Sequence, residues 1–389
     1  MNECTLFAPS CSPLRSGSCD PPEIACFLTA LFGTNEFIMS KFKKFSLGIV
    51  LTAVFAFVPQ LAQAQYQNRN LHLGVSGGNV KDHTQSFCCS GTLGSLVTDG
   101  TTQYILSNNH VLARQDRAAV GERISQPGMI DNNCNPGTIV ADFTKAVALG
   151  NNVDCAVAAL RPGKMDSTGF IEGFGGPPSN TIVNPSVGLA VAKSGRTTGH
   201  TMGTIGSINT SVNVQYQIKC GQGRTYILSY TNQVVINSST FSAGGDSGSV
   251  ITTNDGCYHP VALLFAGGAS STIANPIGEV LTKMGAALGR SLSFVGTNCA
   301  ASPLQQDGSQ AFQLPQQALD QANTVLVENR QDLMTRPRVL GVGLGALEDN
   351  SAPAIVVYVD NTGSQTPQIP AQIDNIPVRI IMTDPFVAY

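Results

Sequence analysis

The sequence predicts an all-β fold built from antiparallel sheets, in the form of sandwiches or barrels. Between residues 71 and 276, short apolar runs alternate with Gly, Asn, Asp and Pro, a spacing typical of antiparallel β proteins. No strand-like run alternates with a long helical pattern, as an α/β fold requires. Charged residues make up only 12% of the chain, against about 25% in average soluble domains. Gly, Ser, Thr and Asn replace them, which is common in secreted β proteins.

The first 64 residues contain the features of an export signal. Residues 1–38 hold four cysteines among prolines and serines without a periodic pattern. From Met39, a lysine-containing segment precedes an apolar run and then Ala62-Gln63-Ala64, the order found in cleavable signal peptides. The apolar run of about 14 residues is short for a membrane span of roughly 20. An uncleaved signal anchor is the alternative.

These features predict where the mature protein begins and where it is located. We expect translation to start at Met39, residues 39–64 to be a signal peptide, and residues 1–38 to be absent from the mature protein. The mature chain then begins at Gln65, has no membrane anchor, and is secreted or periplasmic.

The strand-like runs fall into two groups, followed by a helix. The predicted strands are residues 91–97, 102–106, 138–143 and 154–160, then 187–193, 202–212, 226–236, 250–253 and 261–266. Apolar residues at helical spacing after Pro276 predict a helix to Leu288 that closes the second group.

The texture of the sequence changes after Cys299. Residues 300–313 are polar and predict a linker. Residues 314–389 predict a small α+β module, with a helix to about Met334 and strands at 339–344, 354–359 and 378–382. This module contains no candidate nucleophile, base or metal cluster. Because its own core is small, we expect it to dock on the preceding domain; a detached adaptor is the alternative.

Cysteine and charge patterns exclude several classes of function. The mature chain has seven cysteines, so at least one thiol stays unpaired, and the pairing does not follow from sequence. Without a C-x-x-C pair or clustered histidines, we expect no metal site and no cofactor. A net charge of −3 without a basic tract argues against nucleic acid as a partner. These cysteines are Cys88, Cys89, Cys134, Cys155, Cys220, Cys257 and Cys299.

A glycine-rich loop at residues 241–250 carries the strongest functional signal. Three glycines surround Ser247, although each glycine loses conformational entropy on folding. Such a loop lets main-chain N–H groups approach a ligand while the serine stays accessible, which is what a nucleophile beside an oxyanion hole requires. An ordinary turn between strands is the alternative.

A serine nucleophile needs a base and an orienting carboxylate, and two segments supply candidates. His110 lies near the end of the run of residues 104–112, and Asp154 begins the apolar run of residues 154–160. Asp142, in another strand-like run, is the rival orienting acid.

These blocks resemble a known family. SNNHVLA, DCAVAAL and GGDSGS are similar to the three catalytic blocks of chymotrypsin/trypsin-like serine peptidases of the bacterial secreted type, in the order His, Asp, Ser. Residues 191–199 are similar to a strand and turn of bacterial members. The resemblance covers residues 65–299. It implies two antiparallel six-stranded Greek-key β-barrels, at about 71–165 and 180–290, with the catalytic residues in the cleft between them.

The resemblance also implies the roles of individual residues. Ser247 would be the nucleophile, His110 the general base and Asp154 the residue that orients it. The main-chain N–H groups of Gly245 and Ser247 would form the oxyanion hole. Asp246 would shape the loop, with a partner that the sequence does not identify.

Substrate contacts follow from the same resemblance. Phe241 would lie at the base of the primary pocket beside Ser242, and Phe265, Ala266 and Gly267 would pair with the substrate backbone. Because Phe241 is not an acid, a preference for Lys or Arg would lack its charge partner. We therefore expect an apolar pocket for small or medium side chains.

The sequence thus predicts a serine endopeptidase that forms an acyl-enzyme on protein or peptide substrates. An α/β-hydrolase is excluded because residue 249 is Ser, which breaks the G-x-S-x-G motif. Only His259 follows Ser247, and its position in a turn predicts a surface residue. The alternative from another class is a catalytically silent binding protein on the same scaffold.

Overall fold

The structure, a computed structural model, describes residues 71–299, 312–364 and 367–389. The segments predicted as 1–38 and as the signal peptide lie outside the described residues, as does the predicted linker up to residue 311. Strands are the main secondary structure of the described residues, and the predicted all-β fold with a small C-terminal α+β part is confirmed.

The first barrel contains seven strand segments that form six strands. A single residue, Gly94, separates β2 from β3; β2 pairs with β1 and β3 pairs with β4. The barrel then closes through β7, β6 and β5 back to β1, with every pair antiparallel. The segments are β1 (Val75–Asn79), β2 (Gly91–Leu93), β3 (Ser95–Thr98), β4 (Gln103–Ser107), α1 (Asn109–Leu112), β5 (Arg123–Gln126), a 3-10 helix (Met129–Asn132), β6 (Thr138–Ala146) and β7 (Ala156–Leu160).

The second barrel also closes with six antiparallel strands. Its order is β8, β9, β10, β13, β12 and β11, and β11 pairs again with β8. The short β14 returns the chain to the first barrel by pairing with β3. The segments are β8 (Ala190–Gly195), β9 (Gly199–Lys219), β10 (Gln222–Asn237), β11 (Val250–Thr253), β12 (Pro260–Gly268), β13 (Ser271–Pro276), α2 (Ile277–Leu288) and β14 (Ser293–Phe294).

Two strands of the second barrel are longer than the sequence predicts. The hairpin of strands β9 and β10 extends beyond the predicted end of β9 at residue 212 and the predicted start of β10 at residue 226. Residues 213–219 of β9 alternate polar and apolar side chains, a strand signal that the prediction did not use. Helix α2 agrees with the prediction: it follows Pro276 and ends at Gly289, whose φ of 71° suits glycine.

The C-terminal strands continue the sheet of the second barrel. Strand β15 pairs antiparallel with β9, with Leu344 opposite Ile208. Strand β16 pairs with β15, and β18 lies parallel to β16. Helix α3 covers these strands through buried residues that include Leu326 and Leu333. The segments are α3 (Gln316–Thr335), β15 (Val339–Ala346), β16 (Pro353–Asp360), β17 (Gln372–Ile373), β18 (Ile376–Thr383) and β19 (Phe386–Ala388).

Strand β19 is not predicted by the sequence. It lies between two strands of the second barrel, antiparallel to β12 and parallel to β9. Phe386 anchors it in the core, with its ring 5.8 Å from that of Tyr358. This placement brings the end of the sequence into the second barrel.

Three disulfides connect the described residues. They join Cys88 to Cys134, Cys89 to Cys220, and Cys257 to Cys299, while Cys155 is free and buried. Disulfides of this kind are typical of proteins that fold in an oxidising compartment. Across the three described ranges, no helix has the length and apolar character of a membrane span.

Candidate active site

The fold brings His110 and Asp154 together because they flank two paired strands. Strand β4 leads into α1 and His110, while Asp154 precedes β7, and Ser107 lies opposite Ala156 in the ladder. The Nδ1 atom of His110 is 2.7 Å from Oδ2 of Asp154. The main-chain N–H of His110 also donates to Oδ1 of Asp154 at 3.2 Å. The carboxylate therefore holds both the imidazole and the main chain of His110 in orientation.

Asp154 is fully buried, and two tyrosines complete its surroundings. The hydroxyl of Tyr216 donates to Oδ2 of Asp154 at 2.8 Å and lies 2.7 Å from the hydroxyl of Tyr230. The main-chain N–H of Asp154 donates to Oδ1 of Asn275 at 2.9 Å. Sequence reasoning missed these residues, which reach Asp154 from the second barrel. No local motif marks them, since Tyr216 lies beyond the predicted strand.

Both ring nitrogens of His110 face acceptors. While Nδ1 contacts Asp154, Nε2 lies 2.8 Å from the main-chain oxygen of Tyr389. Burial lowers the pKa of His110, but the charge of Asp154 and the hydrogen bonds to Asp154 and Tyr389 outweigh it, so the pKa is raised. This environment favours the imidazolium form.

Asp142, the rival orienting acid, and His259, the histidine that follows Ser247 in the sequence, contact other residues. Asp142 forms an ion pair with Arg161, with oxygen–nitrogen distances of 2.7 and 2.8 Å. His259 is 2% exposed, so its prediction as a surface residue is wrong. The Nδ1 atom of His259 lies 3.0 Å from the carbonyl oxygen of Thr181. Although His259 is near Cys257 and Cys299, those two sulfurs are bonded to each other, which leaves no thiolate pair for a metal.

The loop around Ser247 has the backbone geometry that its glycines predict. Gly245 has φ of 99° and Gly248 has φ of 95°, conformations that favour glycine. Among the described residues, the main-chain N–H groups of Gly245 and Ser247 donate to no protein acceptor. Two free donors on a tight loop can bind an oxyanion. The first barrel also contacts this loop closely: a Cβ on Gly94 would lie 2.0 Å from the Gly248 carbonyl oxygen.

The side chain of Ser247 is buried beneath the C-terminal residues. Its Oγ donates to the carbonyl of Phe265 at 3.1 Å, and the described contacts of this atom do not include His110. The same carbonyl accepts the main-chain N–H of Tyr389 at 3.4 Å. Ser247, Tyr389 and His110 therefore meet at one place in the cleft between the barrels.

The structure identifies the partner of Asp246 that the sequence leaves open. The Nζ of Lys193 lies 3.3 Å from Oδ2 of Asp246, and both side chains are fully buried. Asp246 also accepts the N–H of Thr197 at 2.7 Å and the hydroxyl of Thr198 at 2.7 Å. Burial lowers the pKa of Lys193, and the charge of Asp246 opposes this shift. Residues 191–199 thus hold the loop of Ser247 in place through their contacts with Asp246.

The residues predicted to contact substrate surround Tyr389. Phe241 belongs to the apolar cluster against which Tyr389 packs, and the hydroxyl of Ser242 lies 2.5 Å from that of Thr272. Ala266 and Gly267 pair with β19. The predicted preference for small or medium side chains stays a prediction, and Tyr389 is the side chain that lies beside these residues here. Gly267, which has no side chain, provides the space.

No family model matches the chain, and neither does any curated protein. Three solved structures illustrate what the fold is similar to. A glutamic acid-specific serine protease is 21% identical with a TM-score of 0.41, over 58% of this chain and 100% of its own. Protease A of Thermobifida fusca is 18% identical with a TM-score of 0.39, and the chymotrypsin of Cellulomonas bogoriensis is 18% identical with a TM-score of 0.38. Both cover 58% of this chain and 99% of their own.

The two closed barrels of six antiparallel strands are the arrangement that the resemblance of the sequence blocks implies. The interpretation of the site is based on the residues of this chain.

Proposed function

We propose that this protein is a serine endopeptidase that hydrolyses peptide bonds through an acyl-enzyme on Ser247. The observation that carries the proposal is the 2.7 Å contact between His110 Nδ1 and the buried carboxylate of Asp154, beside the loop of Ser247. A histidine held this way can accept the proton of a serine hydroxyl, which is otherwise a poor nucleophile at neutral pH.

The proposed reaction has two halves. The Ser247 oxygen attacks the peptide carbonyl carbon as its proton passes to Nε2 of His110, and Asp154 stabilises the imidazolium. The oxyanion accepts hydrogen bonds from the N–H groups of Gly245 and Ser247, each contributing about 3–4 kcal/mol in comparable sites. The carbon–nitrogen bond then breaks, and the amine takes the proton from Nε2. A water molecule, deprotonated by the same nitrogen, hydrolyses the ester and restores Ser247.

Substrates are proposed to be proteins or peptides in an extended conformation. Strand β12 supports this, since its residues Phe265–Gly267 pair with an extended segment in the structure itself. Main-chain pairing gives affinity to any sequence, so selectivity would come from the pocket that receives the side chain before the cleaved bond.

Export to the periplasm or the medium is part of the proposal. The three disulfides support an oxidising location. Mass spectrometry of the exported protein is expected to find its N-terminus at Gln65 or at a later residue after trimming. Recovery of peptides from residues 1–38 in the exported protein would contradict the predicted start at Met39.

Hydrolysis of unfolded casein tests the proposed activity. Ser247→Ala is expected to reduce cleavage by roughly 10³-fold or more, since loss of the nucleophile disables the whole triad. The matched control Ser239→Ala, on an exposed loop residue, is expected to retain activity. Undiminished cleavage by Ser247→Ala would overturn the assignment. A folded chain that binds peptides but never cleaves them would favour the silent binding protein.

A further inference from the structure

We propose that residues 386–389, here the C-terminal strand, occupy the active-site cleft as a substrate does, and that the enzyme therefore prefers an aromatic residue before the cleaved bond. This inference is based on the proposed peptidase function and adds to it a substrate class and an internal competitor.

The main chain of the C-terminal strand is bound as an extended peptide. Ala388 lies opposite Ala266 and Val387 opposite Gly267, in an antiparallel ladder with β12. The N–H of Tyr389 donates to the Phe265 carbonyl at 3.4 Å, one step further along the ladder. Strand addition of this kind binds a peptide mainly by its backbone, so the site accepts a segment by its extended shape.

The ladder ends where the chemistry would occur. The main-chain oxygen of Tyr389 lies 2.8 Å from Nε2 of His110, the nitrogen that would take the serine proton. The Phe265 carbonyl accepts both the N–H of Tyr389 and the hydroxyl of Ser247. The carbonyl group of Tyr389 therefore lies beside the proposed base, and its N–H shares an acceptor with the proposed nucleophile.

The side chain of Tyr389 shows what the primary pocket accepts. Its hydroxyl donates to the Gly268 carbonyl at 3.3 Å, and its ring packs against the apolar cluster that contains Phe241. A Cβ on Gly267 would lie 2.1 Å from the tyrosine oxygen, so the absence of a side chain at residue 267 is needed for the ring to fit. The pocket thus combines a wide apolar wall with a carbonyl acceptor near the phenol oxygen.

The other half of the cleft is open. A cavity of about 210 Å³ adjoins His110 and Tyr389 and is lined by residues including Cys89, Ser90 and Val111. The C-terminal strand thus fills the side that binds the acyl part of a substrate, and the side for the leaving amine stays accessible. A substrate entering the cleft must displace Tyr389.

Anchoring of the strand makes it an efficient competitor. Phe386 is 1% exposed in the core, whereas Val387 is 36% exposed, so the strand is tethered at Phe386, and backbone pairing and the Tyr389 side chain hold its other end. A tethered segment experiences an effective concentration in the millimolar range, which lets even a weak substrate-like ligand occupy its site. The enzyme is consequently held partly inhibited until this segment leaves the cleft.

Two variants distinguish the effect of the bound segment from the effect of the Tyr389 side chain in the pocket. One ends after Phe386 and so keeps the anchor; the other, Tyr389→Ala, keeps the backbone and empties the pocket. Met382→Ala, an exposed apolar residue of β18, is the matched control. The reaction rate with an active-site-directed fluorophosphonate is expected to rise about tenfold in both variants and to stay unchanged in the control. Equal rates in the full chain and both folded variants would overturn the proposal.

Substrate preference is measured on the shortened chain with peptide amides Phe-Val-Ala-X, where X is Tyr, Phe, Ala, Lys or Glu. The Tyr and Phe peptides are expected to show kcat/KM values about 10- to 100-fold above the Ala peptide, since the pocket buries an aromatic ring. A preference for Ala, Lys or Glu would overturn the proposed substrate class.

A binding measurement separates this inference from the proposed function. Phe-Val-Ala-Tyr is titrated into the shortened chain carrying Ser247→Ala, which needs no catalysis. Saturable binding that is weakened about tenfold in Phe-Val-Ala-Ala supports the inference even if the enzyme proves inactive. No binding of Phe-Val-Ala-Tyr to the folded variant would overturn the inference, even if the full chain is an active peptidase.

Discussion

The ammonium group of Lys193 lies 3.3 Å from the carboxylate of Asp246, and neither side chain is exposed to solvent. This ion pair joins strand β8 to the loop of Ser247, next to the proposed oxyanion hole. Because the partner of Asp246 comes from strand β8 of the same barrel, the ion pair holds the loop in its conformation from within the fold.

Lys193→Met is expected to destabilise the protein by about 3–5 kcal/mol, because Asp246 would be left as an unpaired buried charge. The serine loop would distort, so the rate of fluorophosphonate labelling would also fall. The fall, converted to free energy, would be at least as large as the loss of folding stability. Denaturant unfolding and the labelling rate measure the two effects. Lys283→Met is the control: its ammonium is also 3.3 Å from a carboxylate, that of Glu279, but is 34% exposed. This surface pair is expected to contribute only about 0–1 kcal/mol.

Tyr216→Phe is expected to lower kcat/KM about tenfold, because a hydrogen bond to a charged carboxylate contributes roughly 1.5–3 kcal/mol. The loss should appear in kcat rather than in KM, since Tyr216 contacts Asp154 and not the peptide-binding strand. Steady-state kinetics on a peptide amide provide the measurement. Tyr226→Phe removes a more exposed hydroxyl from the neighbouring stacked ring and is expected to change kcat/KM little. Equal effects of the two substitutions would contradict the role given to Tyr216.

The labelling rate is expected to rise with pH through a pKa above 6.5, the ordinary value for histidine. Imidazolium cannot accept the serine proton, so labelling requires the neutral ring. The charge of Asp154, with Asp82 further away, favours imidazolium and so raises the pKa. A pH–rate profile of the full chain tests this. A midpoint below 6.5 in the full chain would contradict it.

Gly267→Ala is expected to reverse the order of substrates. The new Cβ would meet the ring in the primary pocket, so peptides with Tyr should lose about 10- to 100-fold in kcat/KM while those with Ala lose little. A Cβ here would also lie 2.6 Å from the Ser271 carbonyl, so a thermal melt must accompany the kinetics. Gly278→Ala, where the nearest atom is 3.7 Å away, is the matched control and should leave the preference unchanged.

Local patterns predicted much of this architecture. Short apolar runs predicted the barrel strands, and the histidine, aspartate and serine blocks predicted residues that the fold brings near one another. These signals are visible in sequence because each lies within a few neighbouring residues. Ser247 has its glycines, His110 follows the buried strand β4, and Asp154 precedes the buried strand β7.

The missing parts depend on contacts between distant segments. Tyr216 reaches Asp154 across the two barrels, and Lys193 reaches Asp246 from another strand, so no local spacing reveals either pair. Strand β19 is only three residues long, and it forms because β12 and β9 leave space between them. The pairing of β15 with β9 likewise needs the barrel to be folded first.

The most direct test of the central claim is the site of covalent modification by a fluorophosphonate. The full chain and the chain shortened after Phe386 are incubated with the reagent, and the adduct is located by peptide mass spectrometry. We expect one adduct per chain, on Ser247, that forms faster in the shortened chain and is absent from His110→Ala. An adduct on another residue, or none in either folded chain, would contradict the assignment of Ser247 as an activated nucleophile.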